Sequence, residues 1–220
     1  MYSLPYFKER EIGVVKEFMK QHPFITLCGS DAAGNPVATH VPVLLREINE
    51  QLFLRGHIMR KTDHHLAFTE NPNVLAVFTG PHTYVSASWY SNPQQGSTWN
   101  YMTVHARGAI QFLDEPALLN LLKDLTAHFE NNDESPALYD KLPAEYISQM
   151  SKAIVAFEIE VKEMDNVFKL SQNRDEASYH TIIKKLEQQG GDAQKISIEM
   201  MKRAEKLYAD KSIKTQSAGT

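Results

Sequence analysis

The chain has 220 residues, 42% of them apolar and 23% charged, and its 23 Lys/Arg against 27 Asp/Glu leave a formal net charge of −4. This composition suits a globular chain with a real core and excludes a disordered or collagen-like one. It offers no broad cationic face for a nucleic-acid backbone, and residues 160–220, with 11 basic and 10 acidic side chains, are no exception.

Ile12, Val15, Phe18 and Met19 recur at helical spacing between residues 8 and 21 and predict a short amphipathic helix ended by Pro23. PFITLCGS (23–30), a turn at DAAGN (31–35), PVATHVPVLLRE (36–47) and LFLRGH (52–57) predict successive antiparallel strands that open as a meander. Residues 61–70 predict a short helix stopped at Asn71-Pro72, and VLAVFTG (74–80) a further strand. Turn residues then mix with a β-rich YVSASWY (84–90), and TWNYMTVHARGAIQF (98–112) predicts one long strand.

Asp114-Glu115-Pro116 supplies a capping side chain and a first-turn proline to a helix whose apolar face is Leu118, Leu119, Leu122 and Leu125. AIVAFEIEV (153–161) alternates as another strand, the point at which a barrel can close. Beyond residue 175, Ile182, Ile183 and Leu186, then Ile198, Met201 and Leu207, predict two helices parted by Gly190-Gly191.

Apolar runs such as VPVLL (41–45) and VLAVF (74–78) fall far short of the roughly 18 residues a membrane helix needs. MYSLPYFKERE shows no basic leader before an apolar stretch, so the expected compartment is the cytoplasm and no membrane partner is expected. The lone Cys28 rules out an intramolecular disulfide and a CxxC zinc site. His57, His64, His65, His82 and His105 follow no ligand spacing of known meaning, so no metal is expected. GxSxG, P-loop and GxGxxG motifs are absent.

Tyr84, Trp89, Tyr90, Trp99 and Tyr101 crowd one stretch, in the company of His82, Ser86, Ser88, Thr98 and Asn100. Rings beside donors and acceptors suit a planar polar heterocycle, although the same rings also suit a core or a subunit interface. Arg60-Lys61, where a strand hands over to a helix, suits a phosphate, or is a plain solvated basic pair. KLSQNR (169–174) puts a Lys, two amides, a hydroxyl and an Arg into one polar segment, a hydrogen-bonding edge for a heterocycle or phosphate, or a plain loop.

MYSLPYF, THVPVLL (39–45), GHIMR (56–60), FTGPHTYVSASWY (78–90), TWNYMTVHARG (98–108) and KLSQNR, in that order, resemble the PaiB-type family of FMN-binding negative transcriptional regulators. The likeness departs at Lys61-Thr62-Asp63, where many members have Ala-Asn-Pro, and at Gly96-Ser97, where many have Val-Pro. The resemblance implies a mainly β fold with flanking helices, the FMN-binding split barrel similar to pyridoxamine phosphate oxidase. It also implies a homodimer with flavin at the subunit interface.

The resemblance carries the phosphate role to Arg60 and Lys61, with His57 beside them. Further cofactor contacts fall on Ser86, Ser88 and Trp89, on Thr98, Trp99 and Asn100, and on Lys169, Ser171, Gln172 and Asn173. Residues 1–174 are the expected barrel, and 175–220 a helical extension packed on the dimer or exchanged within it. The resemblance implies DNA as a partner, which neither the charge nor any recognisable helix-turn-helix supports. The competing readings are a flavin-dependent oxidoreductase and a haem-binding split barrel.

Overall fold

The computed structural model describes residues 1–217, with side chains through residue 209. Helix α1 (Ile12–Gln21) buries Val15, Phe18 and Met19, three of the four residues whose spacing predicts it. Strands β1 (Phe24–Ser30), β2 (Pro36–Pro42), β3 (Leu44–Ile48) and β4 (Gln51–Met59) follow. In β4 the two-residue period buries Leu52, Leu54, Gly56 and Ile58 and turns Phe53, Arg55, His57 and Met59 to the other face.

The stretch expected as one strand over 36–47 is therefore two, broken at Val43. β2 pairs antiparallel with β1, whereas β3 pairs antiparallel with β4, so two hairpins replace the expected meander. The seven-stranded sheet has the order β2-β1-β5-β6-β7-β4-β3, which puts β2 and β3 at its opposite ends. The break at Val43 thus carries the chain from one end of the strand order to the other.

Proline at 42 has no N–H to extend a ladder, and the Val43 N–H turns instead to the Pro23 carbonyl at 2.9 Å. Gly56 permits the close approach of β4 to this corner. A Cβ there would lie 2.9 Å from the Pro42 carbonyl oxygen and 2.7 Å from the Phe157 ring.

Helix α2 (Asp63–Glu70) is N-capped by Thr62, and β5 (Asn73–Val85) runs past its expected end. β5 passes through Pro81 because its pairing with β1 covers only Leu75 to Val77, so the missing N–H takes nothing from that ladder. β6 (Thr98–Phe112) is the long strand expected. Helix α3 (Glu115–Glu130) starts where the Asp114 carboxylate accepts the Ala117 N–H at 3.0 Å. Its Leu118, Leu121 and Leu125 pack on Ala156.

Helix α4 (Ala144–Ser151) was not expected; it begins after Pro143 with no capping side chain to announce it. β7 (Ile154–Lys169) continues well beyond Val161 and pairs with β4 from Phe53↔Glu160 to Met59↔Ile154. Gly108 is obligatory here, since a Cβ would sit 2.1 Å from the Glu160 carbonyl oxygen.

Between helices α5 (Glu176–Glu187) and α6 (Gly191–Ser217) the chain turns at Gly190 and at Gly191, the first residue of α6, both at positive φ, so the break falls at the glycine pair that predicts it. The buried face of α6 is not the expected one: Ala193, Ile196 and Met200 are inside, while Ile198 and Met201 face out.

The chain forms two compact units. Among the described residues, one comprises Met1–Val15, Thr79–Thr103 and residues 166–217; the other comprises Lys16–Phe78 and Val104–Asp165. Helices α5 and α6 therefore share a unit with the TWNY segment. Among the described residues, no helix is long and apolar enough to cross a membrane.

Candidate cofactor-binding site

In the first unit, the start of β6 meets the turn that follows β7. Lys169 Nζ donates to Thr98 Oγ1. The Ser171 hydroxyl donates to Asn100 Oδ1 at 3.0 Å, and both side chains are buried. Asn100 Nδ2 faces the Met200 sulfur at 3.7 Å. Gln172 braces its own turn, with its Oε1 accepting the Leu170 N–H at 2.7 Å and its Nε2 donating to the Phe168 carbonyl.

Three of the expected contact residues, Asn100, Ser171 and Gln172, thus shape the turn. Lys169 is half-buried, its Nζ also 5.6 Å from the Tyr2 ring centroid, and Asn173 is exposed. Burial, and after it the Arg174 charge, lowers the Lys169 pKa.

Trp99 keeps 52% of its surface exposed. The His82 ring lies 5.7 Å from it and the Tyr84 ring 6.3 Å. A cavity of about 340 Å³ opens at this place, lined by Thr79, Gly80, His82, Trp99, Tyr101, Met102 and Thr103.

Ser86 and Ser88 are engaged locally. The Ser86 side chain caps the 3-10 turn Ala87–Trp89 and lies 2.8 Å from the Ser88 hydroxyl. Ser97, at the place where the chain departs from the family pattern and not among the expected contacts, accepts the Ala87 N–H at 3.0 Å. Arg174 stacks on Tyr90, 4.1 Å from the ring centroid, and donates to Gln95. Its place in KLSQNR was the signal that could have found it.

His57, Arg60 and Lys61 lie in the other unit. His57 is half-buried, its Nδ1 is buried without a partner, and burial lowers its pKa. Arg60 fastens itself through backbone groups, its N–H to the Ala153 carbonyl at 2.9 Å and its Nε to the Ile154 carbonyl at 2.8 Å. Its exposed guanidinium keeps two further nitrogens for an anion. Lys61, also exposed, stands at φ +63°. The structure brings ten of the expected residues into one unit and three into the other. Among the described residues, no three His, Cys, Asp or Glu side chains are placed to hold a metal.

A family model described as "Putative FMN-binding domain" matches residues 1–163. The chain is 32% identical over 201 residues to the protease synthase and sporulation protein PAI 2 of Bacillus subtilis (strain 168), covering 91% of this chain and 96% of that protein. The chain belongs to the PaiB-type FMN-binding family.

Two solved structures carry the same fold at low sequence identity. The FAD and haem binding protein from Mycobacterium smegmatis matches with TM-score 0.55 and 16% identity, over 74% of this chain and 73% of that one. The flavocytochrome Anf3 from Azotobacter vinelandii matches with TM-score 0.55 and 14% identity, over 76% and 72%. The architecture of this PaiB homologue is the mainly β split barrel with flanking helices. FMN is its cofactor. Within the second unit the residues present fit that group: an orphaned buried nitrogen on His57 and the outer guanidinium nitrogens of exposed Arg60 are groups FMN can use.

Proposed function

We propose that this PaiB homologue acts as a cytoplasmic homodimer, that FMN binding is tied to its regulatory role, and that the residues named above are its cofactor contacts. The juxtaposition of Thr98-Trp99-Asn100 with Lys169-Leu170-Ser171 supports the contact assignment. Two polar segments far apart in sequence are locked together by the Lys169–Thr98 and Ser171–Asn100 hydrogen bonds.

When bound, FMN supplies reversible electron transfer. Each unit contributes by itself. Arg60 and Lys61 hold the phosphate by charge, and the His57 imidazole offers its unpartnered nitrogen as a hydrogen-bonding group. Lys169 and Asn173 donate to electron-rich edges of a heterocycle, and Trp99 offers a flat face. The residues from 175 onward serve the dimer in this reading, since their near-balanced charge suits a subunit contact better than a DNA arm. A single unpaired cysteine accords with the cytoplasm.

An absorption spectrum of the purified protein tests the cofactor, with flavin bands expected and a haem band counting against it. Light scattering on the flavin-loaded protein tests the dimer, and a monomer at micromolar concentration would reject it. The cavity beside Trp99 and His82 favours a second reading, a flavin oxidoreductase with a small-molecule substrate. Flavin-dependent oxidation of NAD(P)H by the purified protein would select it.

A further inference from the structure

The turn between β4 and α2 holds Lys61 in the left-handed region, at φ +63°, where a residue with a Cβ rests only if its surroundings keep it there. Its own N–H supplies a tether, donating to His65 Nδ1 at 3.2 Å. The Thr62 hydroxyl adds a second by donating to the Met59 carbonyl at 3.0 Å. The His65 ring also packs against Phe112, with centroids 4.8 Å apart.

An imidazole nitrogen accepts a hydrogen bond only without its proton. The Lys61 tether therefore exists while His65 is neutral, with the remaining proton on Nε2. We propose that neutral His65 is a positioning residue that fixes the Arg60-Lys61 turn in its phosphate-binding form, so that protonating His65 releases the turn and weakens FMN binding. The inference rests on the reading that Arg60 and Lys61 take the FMN phosphate.

The groups around the ring make its neutral form the resting one. Burial first, then the charges of Arg60 and His64, hold its pKa below the ordinary imidazole value. On α2, Asp63 faces His64 rather than His65, at 3.0 Å from its Nδ1. Phe112, the neighbour from β6, does not ionise. The contacts of α2 with β1, Gly29 against Phe68 and Ser30 with Asn71, lie toward the other end of the helix. A proton on Nδ1 would set it donor to donor against the Lys61 N–H. The added charge would lie beside Arg60 in a partly solvated place, where screening reduces its attraction for a phosphate.

The test is FMN and riboflavin titration of wild type, His65→Gln, His65→Leu and Arg60→Ala at about pH 8 and about pH 5.5, on either side of the usual imidazole value. Glutamine accepts the Lys61 N–H at both pH values, so wild type and His65→Gln should match at the higher pH. Wild type should then bind FMN roughly 3- to 10-fold more weakly than His65→Gln at the lower one, the scale of one neutral hydrogen bond. The second phosphate proton of FMN, near about pH 6 by analogy with phosphorylated side chains, cancels in that ratio. His65→Leu should bind FMN more weakly than wild type at the higher pH, and riboflavin, which lacks the phosphate, should bind all His65 variants alike.

A ratio that is flat with pH, or that rises in acid because the imidazolium itself attracts the phosphate, overturns the proposal. So does an unimpaired His65→Leu. Unchanged FMN binding by Arg60→Ala removes the phosphate reading and this inference with it. An impaired Arg60→Ala with a flat His65 ratio removes this inference alone.

Discussion

Ser171 donates its hydroxyl to Asn100 Oδ1 at 3.0 Å across 71 positions of sequence, in a place where both side chains are buried. Ser171→Ala leaves that oxygen desolvated and without its hydroxyl donor, at a cost of about 1–3 kcal/mol. Urea unfolding should show the loss, and a double-mutant cycle with Asn100→Ala should show strong coupling. Additive effects would mean that the two side chains act independently.

On the proposed assignment of Arg60 to the FMN phosphate, Arg60→Ala should weaken flavin binding by about 1.5–3 kcal/mol, or roughly 10- to 150-fold in affinity. A flavin fluorescence titration reads this directly. Since Arg60 is exposed, its fold should survive the change, and an unchanged titration rejects the assignment.

Gly108→Ala forces a methyl carbon into the Glu160 carbonyl, 2.1 Å away. Backbone on both sides leaves little room to yield, so the expected destabilisation is about 3 kcal/mol or more. Gly13→Ala is the control, because a Cβ there meets nothing within 4 Å. Equal melting temperatures for the two variants would contradict the packing described.

The pKa of His57 is lowered by burial and that of His65 by burial and neighbouring charge, so both bind their protons more weakly folded than unfolded. The unfolded chain then takes up more protons as pH falls below the ordinary imidazole value of 6.5. Stability should be level above that pH and decline on acidification until the folded pKa values are passed. Urea midpoints across this range should fall, and His57→Gln should flatten part of the slope. A wild-type midpoint that rises in acid contradicts this sign.

With a net charge of −4, the isolated protein should bind promoter DNA weakly at about 150 mM salt, where charges farther apart than roughly 8 Å are screened. A regulatory effect would then pass through a partner or through flavin chemistry. Nanomolar, sequence-specific binding in a titration against promoter fragments would overturn this and bring α5 and α6 forward as the reading element.

Much of the fold is legible locally. Alternation over residues 98–112 specifies β6, Asp114 and Pro116 specify the start of α3, and the Gly190-Gly191 pair separates two helices because both residues need positive φ. The motifs that mark the family are also contiguous, so the sequence alone points to FMN.

Other features depend on partners distant in sequence, and only the tertiary structure decides them. The 36–47 segment looks like one strand until Pro42 and Val43 divide its hydrogen bonds between β1 and β4. Helix α6 has two apolar stripes. The one with Ile196 and Met200 is inside because it packs in the first unit, where Met200 lies against Asn100, while Ile198 and Met201 stay outside. KLSQNR reads as a ligand-binding edge, yet Ser171 and Gln172 are largely occupied in holding the turn. Composition and short-range periodicity determine which residues can form a strand, a cap or a polar edge. Which polar atoms remain free for a ligand is set by hydrogen bonds closed over long sequence separations, and those exist only once the chain has folded.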